Sequence, residues 1–334
     1  MQITPELLRK YAEDAVEKIT RDDYNILAVY LTGALVTEDI PFFGGTADID
    51  LVFIDVGQPD VSRVIEKVNE DIHLDISYQP QRDYSDRLAL RTDPWLGPSL
   101  SEAIALYDPQ HFIDLTQASV RGLFNRPANT FQRSKGQIES ARNQWLRMQP
   151  VPEDPGPHEI MGYLSILDSA CNAVALLAGD PLTERRFLIN FKKRVERIGK
   201  PGLYPGILGM LGSHNSAKED FIAWAGEWED AYNNLPEEDR HPRLHQHRRS
   251  YYFKAFDFIL DSDQPEDVLW PLINTWTFGV SSLAESDPGF ENWKNALSQV
   301  GLLGDGYAER VTALDAFLEQ IEEAVTDWGI KEGA

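Results

Sequence analysis

Two aspartates alternate with apolar residues in Asp48-Ile49-Asp50-Leu51-Val52-Phe53-Ile54, and no other stretch constrains the fold of this chain as strongly. In a strand, residues i and i+2 share a face, so Asp48 and Asp50 project together while Ile49, Leu51 and Phe53 line the other side. Two carboxylates side by side repel each other, and a hard divalent cation with oxygen ligands makes the pair tolerable. Upstream lies a glycine-bearing segment, Tyr30-Leu31-Thr32-Gly33-Ala34-Leu35-Val36. A metal held by two aspartates beside a glycine turn points to phosphoryl or nucleotidyl transfer.

The third carboxylate comes from Ile72-His73-Leu74-Asp75-Ile76-Ser77-Tyr78, which alternates strictly. That alternation puts Ile72, Leu74, Ile76 and Tyr78 on a core face, and His73, Asp75 and Ser77 on the opposite one. Flanked by Leu74 and Ile76, Asp75 needs a partner, and a metal held by Asp48 and Asp50 supplies one. Metal-assisted nucleotidyl transfer uses one or two Mg2+ ions between the carboxylates and the triphosphate. Asp75 then helps hold the second ion or accepts the acceptor's proton. Gly33, with Thr32 and Ala34 beside it, lets the backbone and the start of the following helix approach the phosphates.

Around these motifs the chain divides in character. Residues 7–19 read as an amphipathic helix, 26–31 and 48–54 as strands, 61–69 as a helix, and 103–107 as a further short strand ended by Asp108-Pro109. Residues 37–47 read as a loop with Pro41 and the Gly44-Gly45 pair. From about residue 110 only helical signals follow: 111–123, 130–148, 158–178, 185–198, 217–233, 247–260, 265–282, 289–300 and 307–328. Seven of the eight tryptophans lie at or beyond Trp145, as a helical domain with its own core requires. The expectation is an α+β N-terminal domain over residues 1–110, a small mixed sheet with helices, then an all-α helical bundle over 111–334.

Here the residues resemble a family. Strand–Gly33–helix, then Asp48-Ile49-Asp50, then Leu74-Asp75-Ile76 is similar to the DNA polymerase β-like nucleotidyltransferase superfamily, nearest to its minimal and antibiotic-modifying members. Leu106-Tyr107-Asp108-Pro109 looks like the turn that closes that family's core. The resemblance spans residues 25–110 and makes 1–110 a nucleotidyltransferase domain. It implies an NTP substrate, Mg2+ on Asp48, Asp50 and Asp75, a catalytic role for Asp75, and nucleotide contacts from Thr32, Gly33 and Ala34. The helical remainder is similar in kind to the bundles that close over the acceptor in aminoglycoside nucleotidyltransferases. By that likeness Glu159 or Asp168 is a candidate acceptor base. The chain departs from the family where Ala34 stands in place of the usual Ser or Gly, and where Phe42-Phe43-Gly44-Gly45 lengthens the gap to Asp48.

Lys+Arg 31 against Asp+Glu 54 gives a formal charge of -23, a field that repels nucleic acid and anionic membranes and suits a small or cationic acceptor. No apolar run approaches the roughly 20 residues that span a bilayer, and Met1-Gln2-Ile3-Thr4 begins no signal-peptide pattern. A lone cysteine, Cys171, rules out an internal disulfide and fits a reducing cytoplasm, with a buried core position expected for it. Two alternatives to an enzyme of a small-molecule acceptor stay open: a protein-modifying, toxin-silencing transferase, and a nucleotide-binding or interaction protein that kept the scaffold without turnover.

Other features have two readings each. Arg185, Arg186, Lys192 and Lys193 are the densest basic cluster; one of them, with Lys193 as the candidate, reaches the triphosphate, or all form a solvated helix face. The run Arg240-His241-Pro242-Arg243-Leu244-His245-Gln246-His247-Arg248-Arg249 reads as an exposed basic loop or helix start. A metal site or a nuclease-like Arg240, His241, His245 motif is the lesser reading, since Pro242 opposes the helix it needs. Trp224, Trp228 and Trp276 are expected to pack in the helical core rather than line a pocket.

Overall fold

The computed structural model describes residues 3–37, 42–237 and 240–334. Met1, Gln2 and the Pro41 expected in the loop lie outside the described residues. Among the described residues, no helix is long and apolar enough to cross a membrane.

By compactness the chain divides into two units, Met1–Asn129 with His241–Ala255, and Thr130–Arg240 with Phe256–Ala334. The first of these units runs past the residue 110 boundary expected from sequence to Asn129 and takes in the short segment 241–255 as well.

In the first unit, helix α1 (Pro5–Asp22) starts where the Thr4 hydroxyl accepts from the Leu7 N–H at 3.3 Å and Pro5 sets the first helical φ. After it come β1 (Ile26–Thr32), the four-residue turn α2 (Ala34–Thr37), β2 (Ala47–Asp55), β3 (Arg63–Lys67) and β4 (Ile72–Pro80). Then α3 (Leu96–Glu102), β5 (Ile104–Tyr107) and α4 (Phe112–Arg121) complete the main run. The five strands form one mixed sheet in the order β3-β4-β2-β1-β5. β2 and β4 run parallel, and every other neighbouring pair is antiparallel.

Each sheet face buries its own core. Leu8, Ala12 and Val16, four residues apart on α1, pack with Ile49, Leu51, Leu74 and Ile76. On the opposite face Tyr30, Val52 and Ile54 pack with Leu100, Ile113 and Val120 from α3 and α4. Central strands covered on both sides read as nearly continuous apolar runs, as β1 does. The Asp108 carboxylate of the expected closing turn accepts from the Phe112 N–H at 2.7 Å and the Asp114 N–H at 3.0 Å, which starts α4.

Helices at Leu96–Glu102 and Leu203–Met210 fall where none was expected, and one expected helix is a strand. Residues 61–69 hold β3 rather than a helix. The Asn69 side chain accepts from the N–H groups of Asp71 and Ile72 at 2.9 and 3.1 Å, a local turn that competes with helix and folds β3 back along β4.

The second unit is helical. It takes in most of α5 (Pro127–Arg147), then α6 (Pro157–Ala175), α7 (Phe187–Arg197), α8 (Leu203–Met210) and α9 (Lys218–Asn233). After α10 (Arg249–Leu260), which the division cuts at residue 255, come α11 (Leu269–Val280), α12 (Pro288–Gln299) and α13 (Gly306–Glu332). α6 is buried along most of its length and packs on α11 and α13. Cys171 is buried there as expected, and burial pushes its thiol up, away from the thiolate a nucleophile needs. Trp224, Trp228 and Trp276 are core residues, and the Trp228 indole N–H donates to Thr275 at 2.9 Å. A small mixed sheet with helices, followed by a helical region, is thus the observed class.

Candidate metal centre

Sheet register brings the three carboxylates together. Asp50 pairs with Thr32 across the antiparallel β1–β2 ladder and with Asp75 across the parallel β2–β4 ladder. Thr32, Asp50 and Asp75 therefore form one lateral row on one face, with Asp48 and His73 forming the next. Carboxylate oxygens of Asp48, Asp50 and Asp75 lie within 4.8 Å of one another, and no other such group of three exists among the described residues.

Gly33 makes room for this. Its φ of 73° is left-handed, and a Cβ there would overlap the Asp50 carboxylate. The glycine is thus a seat for a carboxylate as well as a turn. Ala34 begins α2, which is a single turn and too short to supply the helix terminus expected for phosphate oxygens. The Thr32 hydroxyl shares a 3.0 Å hydrogen bond with the hydroxyl of Ser99 on α3, which puts a second hydroxyl beside Thr32.

Two arginines meet the acids. Arg63 on β3 binds Asp75 with both ends of its fork, Nε to Oδ1 at 2.6 Å and an NH2 nitrogen to Oδ2 at 2.5 Å. Arg248 donates to the same Oδ2 of Asp75 and lies 3.8 Å from Oδ2 of Asp48. The Tyr251 hydroxyl donates to Asp48 at 2.6 Å. Burial pushes the Asp50 carboxyl well up, and the Asp48 and Asp75 charges push it further, against the pull of Arg248 and Arg63. Burial works against the charge on Arg248, but Tyr252, Asp75, Tyr251 and Asp48 outweigh it and push the guanidinium up, so it stays protonated.

Arg248 corrects a sequence expectation. The 240–249 run is not simply an exposed basic loop, for the Arg248 side chain is only 5% exposed. Two single 3-10 turns, Pro242–Leu244 and Gln246–Arg248, lie on β3 with extended His245 between them, so no helix carries a nuclease-like motif. Side-chain hydrogen bonds hold this segment to the sheet and to the turn before β4: Arg248 to Asp75, Tyr251 to Asp48, Ser250 to Asp71 at 3.4 Å and Lys254 to Asp71 at 2.5 Å. The extra Phe42-Phe43-Gly44-Gly45 stretch serves the same contact. Gly44, at φ 62°, lies so close to the Lys254 carbonyl that a side chain there would collide with it.

The remaining candidates sit in the second unit. Lys193 is exposed on α7. Lys192 donates to Gln264 at 2.8 Å, and Arg185 is buried. Glu159 caps α6, accepting from the Gly156 N–H at 2.9 Å, while Asp168 lies further along the same helix.

The donor set fits a hard cation. Mg2+ takes oxygens at about 2.0–2.1 Å, which spans about 4.2 Å across an octahedron, so small rotations close the triad on one ion. Two guanidiniums face three carboxyl groups, of which Asp50 is pushed toward its protonated form, so the centre nears neutrality without metal and a cation that keeps Asp50 ionised fits it better than a bare anion.

No protein-family model matches the chain, and no curated protein matches it. Among solved structures, it is similar to a nucleotidyltransferase-like protein from Exiguobacterium sibiricum 255-15. That chain is 11% identical at a TM-score of 0.28, with 96% of this chain and 92% of the other covered.

Proposed function

We propose that this chain is a metal-dependent nucleotidyltransferase that moves a nucleoside monophosphate from an NTP to a hydroxyl and releases pyrophosphate. The convergence of Asp48, Asp50 and Asp75 on one sheet face, with Asp50 seated over Gly33, carries the proposal. Asp48 and Asp50 would hold Mg2+, with Asp75 sharing it or a second ion. Bound there, Mg2+ supplies charge neutralisation for the leaving pyrophosphate and acidifies the attacking hydroxyl. Asp75, the expected catalytic residue, would accept the attacking hydroxyl's proton on a carboxylate oxygen. Thr32, Gly33 and Ala34 would bind phosphate through the backbone, joined by the Thr32–Ser99 hydroxyl pair.

The acceptor fits the chain's charge best as a small, cationic or antibiotic-like hydroxyl compound, with a protein hydroxyl as the enzymatic alternative. Nucleic acid and membranes are disfavoured on the same ground, and a cytoplasmic setting suits the single buried thiol. One observation favours a second reading, a nucleotide-binding or interaction protein without turnover: Arg63 and Arg248 already neutralise Asp75.

Incubation with α-labelled NTPs, Mg2+ and panels of hydroxyl compounds or lysate proteins separates the two. The enzyme moves label to an acceptor, and Asp50→Asn or EDTA abolishes the transfer. Metal-dependent nucleotide binding with no transfer to any acceptor would establish the non-catalytic reading instead.

A further inference from the structure

Among the described residues, Arg248 is the one buried cation within 4 Å of two members of the triad. Its guanidinium reaches Oδ2 of Asp75 and lies 3.8 Å from Oδ2 of Asp48, while Arg63 reaches Asp75 only. Asp75 therefore accepts three guanidinium hydrogen bonds on two oxygens, which leaves about one of a carboxylate's four lone-pair positions for anything else. The Arg248 Nε–H is buried and has no acceptor. Buried donors are nearly always paired, so the pocket satisfies the charge of Arg248 without satisfying all its hydrogen-bonding groups. Its position fits a cation site better than it fits an arginine.

We propose that Arg248 is an internal counter-cation that occupies the Asp48–Asp75 side of the metal centre and competes with the divalent ion for the same oxygens. The residue thereby sets the metal affinity of the site. This rests on the metal-centre reading above. Without metal, Arg248 offsets the charges of Asp48 and Asp75; when metal enters, the guanidinium leaves both while Arg63, at the half-exposed sheet edge, stays on Asp75. The segment that carries Arg248 remains tied through Tyr251 and Lys254.

The test is Mn2+ binding to the full chain, followed by calorimetry and by the free-ion electron paramagnetic resonance signal, with no nucleotide present. Arg248→Met, which keeps the length and removes the charge, should bind Mn2+ about tenfold or more tightly than the wild type. Arg63→Met, which removes an equal charge that does not reach Asp48, should gain clearly less. Adding Asp50→Asn to Arg248→Met should abolish the gain. Wild-type binding with unchanged or weaker affinity in Arg248→Met, or equal gains in both arginine variants, overturns the competition and leaves the metal centre standing. Absence of Mn2+ binding in every variant overturns the metal centre itself, and the competition with it. Where Arg248→Met does not fold, hydrogen exchange at the Arg248 Nε–H of the wild type gives the answer. Mg2+ should turn that slowly exchanging proton into a fast one, and unchanged protection at saturating Mg2+ counts against release.

Discussion

A methyl group on residue 33 has no space, because the Asp50 carboxylate lies where it would go and the backbone is left-handed there. Gly33→Ala is therefore expected to cost about 2–4 kcal/mol of stability, from backbone strain plus displacement of a half-buried acid, and to weaken Mn2+ binding at least as strongly as Asp50→Asn. Urea unfolding and Mn2+ titration read both effects; a variant with wild-type values in each would remove Gly33 from the site. Asp267 shows a different residue-scale effect. Burial raises its carboxyl to about 6, against the lowering effect of the hydrogen bond it accepts from Tyr204 at 2.6 Å; Glu266 raises it further and Lys192 lowers it. The folded chain then holds this proton more tightly than the unfolded chain, so stability falls as pH rises from about 4 to about 6 and is level above that. The size is on the order of 2–3 kcal/mol, and Asp267→Asn should recover most of it at pH 7 while changing little at pH 4. Identical pH profiles for the two proteins would contradict this.

At the scale of elements, legibility followed burial. Ile72 to Tyr78 alternates because one face meets the α1 core and the other carries Asp75, so its period of two is unambiguous. In β3 only Ile65 is buried, and Arg63, Glu66 and Lys67 suit either a helix or an edge strand. The deciding signal, the Asn69 side chain closing the turn onto β4, is a hydrogen-bond pattern that hydrophobic periodicity does not contain. Asp108 was legible as the end of β5, and its structural work is to start α4 by accepting two backbone N–H groups. Asp108→Ala should cost about 1–2 kcal/mol in chemical denaturation, with Asp108→Asn losing about half as much. An unchanged midpoint for the alanine variant would mean that water replaces the cap without loss.

Across the whole chain, the triad was visible in sequence because its members lie within 28 residues on adjacent strands, whereas its counter-charge was not. Arg248 meets Asp75 across 173 positions, and its basic neighbourhood looks like a solvated run until the segment returns to the sheet. Arg63 was hidden by the helix expectation for 61–69, since only a strand paired with β4 places it beside Asp75. Sequence patterning reports which faces are buried; it does not report which distant charge a buried acid meets. The same limit applies to Phe42-Phe43-Gly44-Gly45, which reads as an insertion and in the fold receives the segment bearing Arg248 and Tyr251.

The central claim is that Asp48, Asp50 and Asp75 form a divalent-metal site. Crystals of the full chain soaked in Mn2+ with a non-hydrolysable NTP, measured for anomalous scattering, test it directly. The account predicts a manganese peak about 2.1–2.2 Å from oxygens of Asp48 and Asp50, with the triphosphate beside Gly33 and Arg248 withdrawn from Asp48. A map with no anomalous peak at the triad, and with Arg248 still paired to Asp75 at saturating Mn2+ and nucleotide, would contradict it.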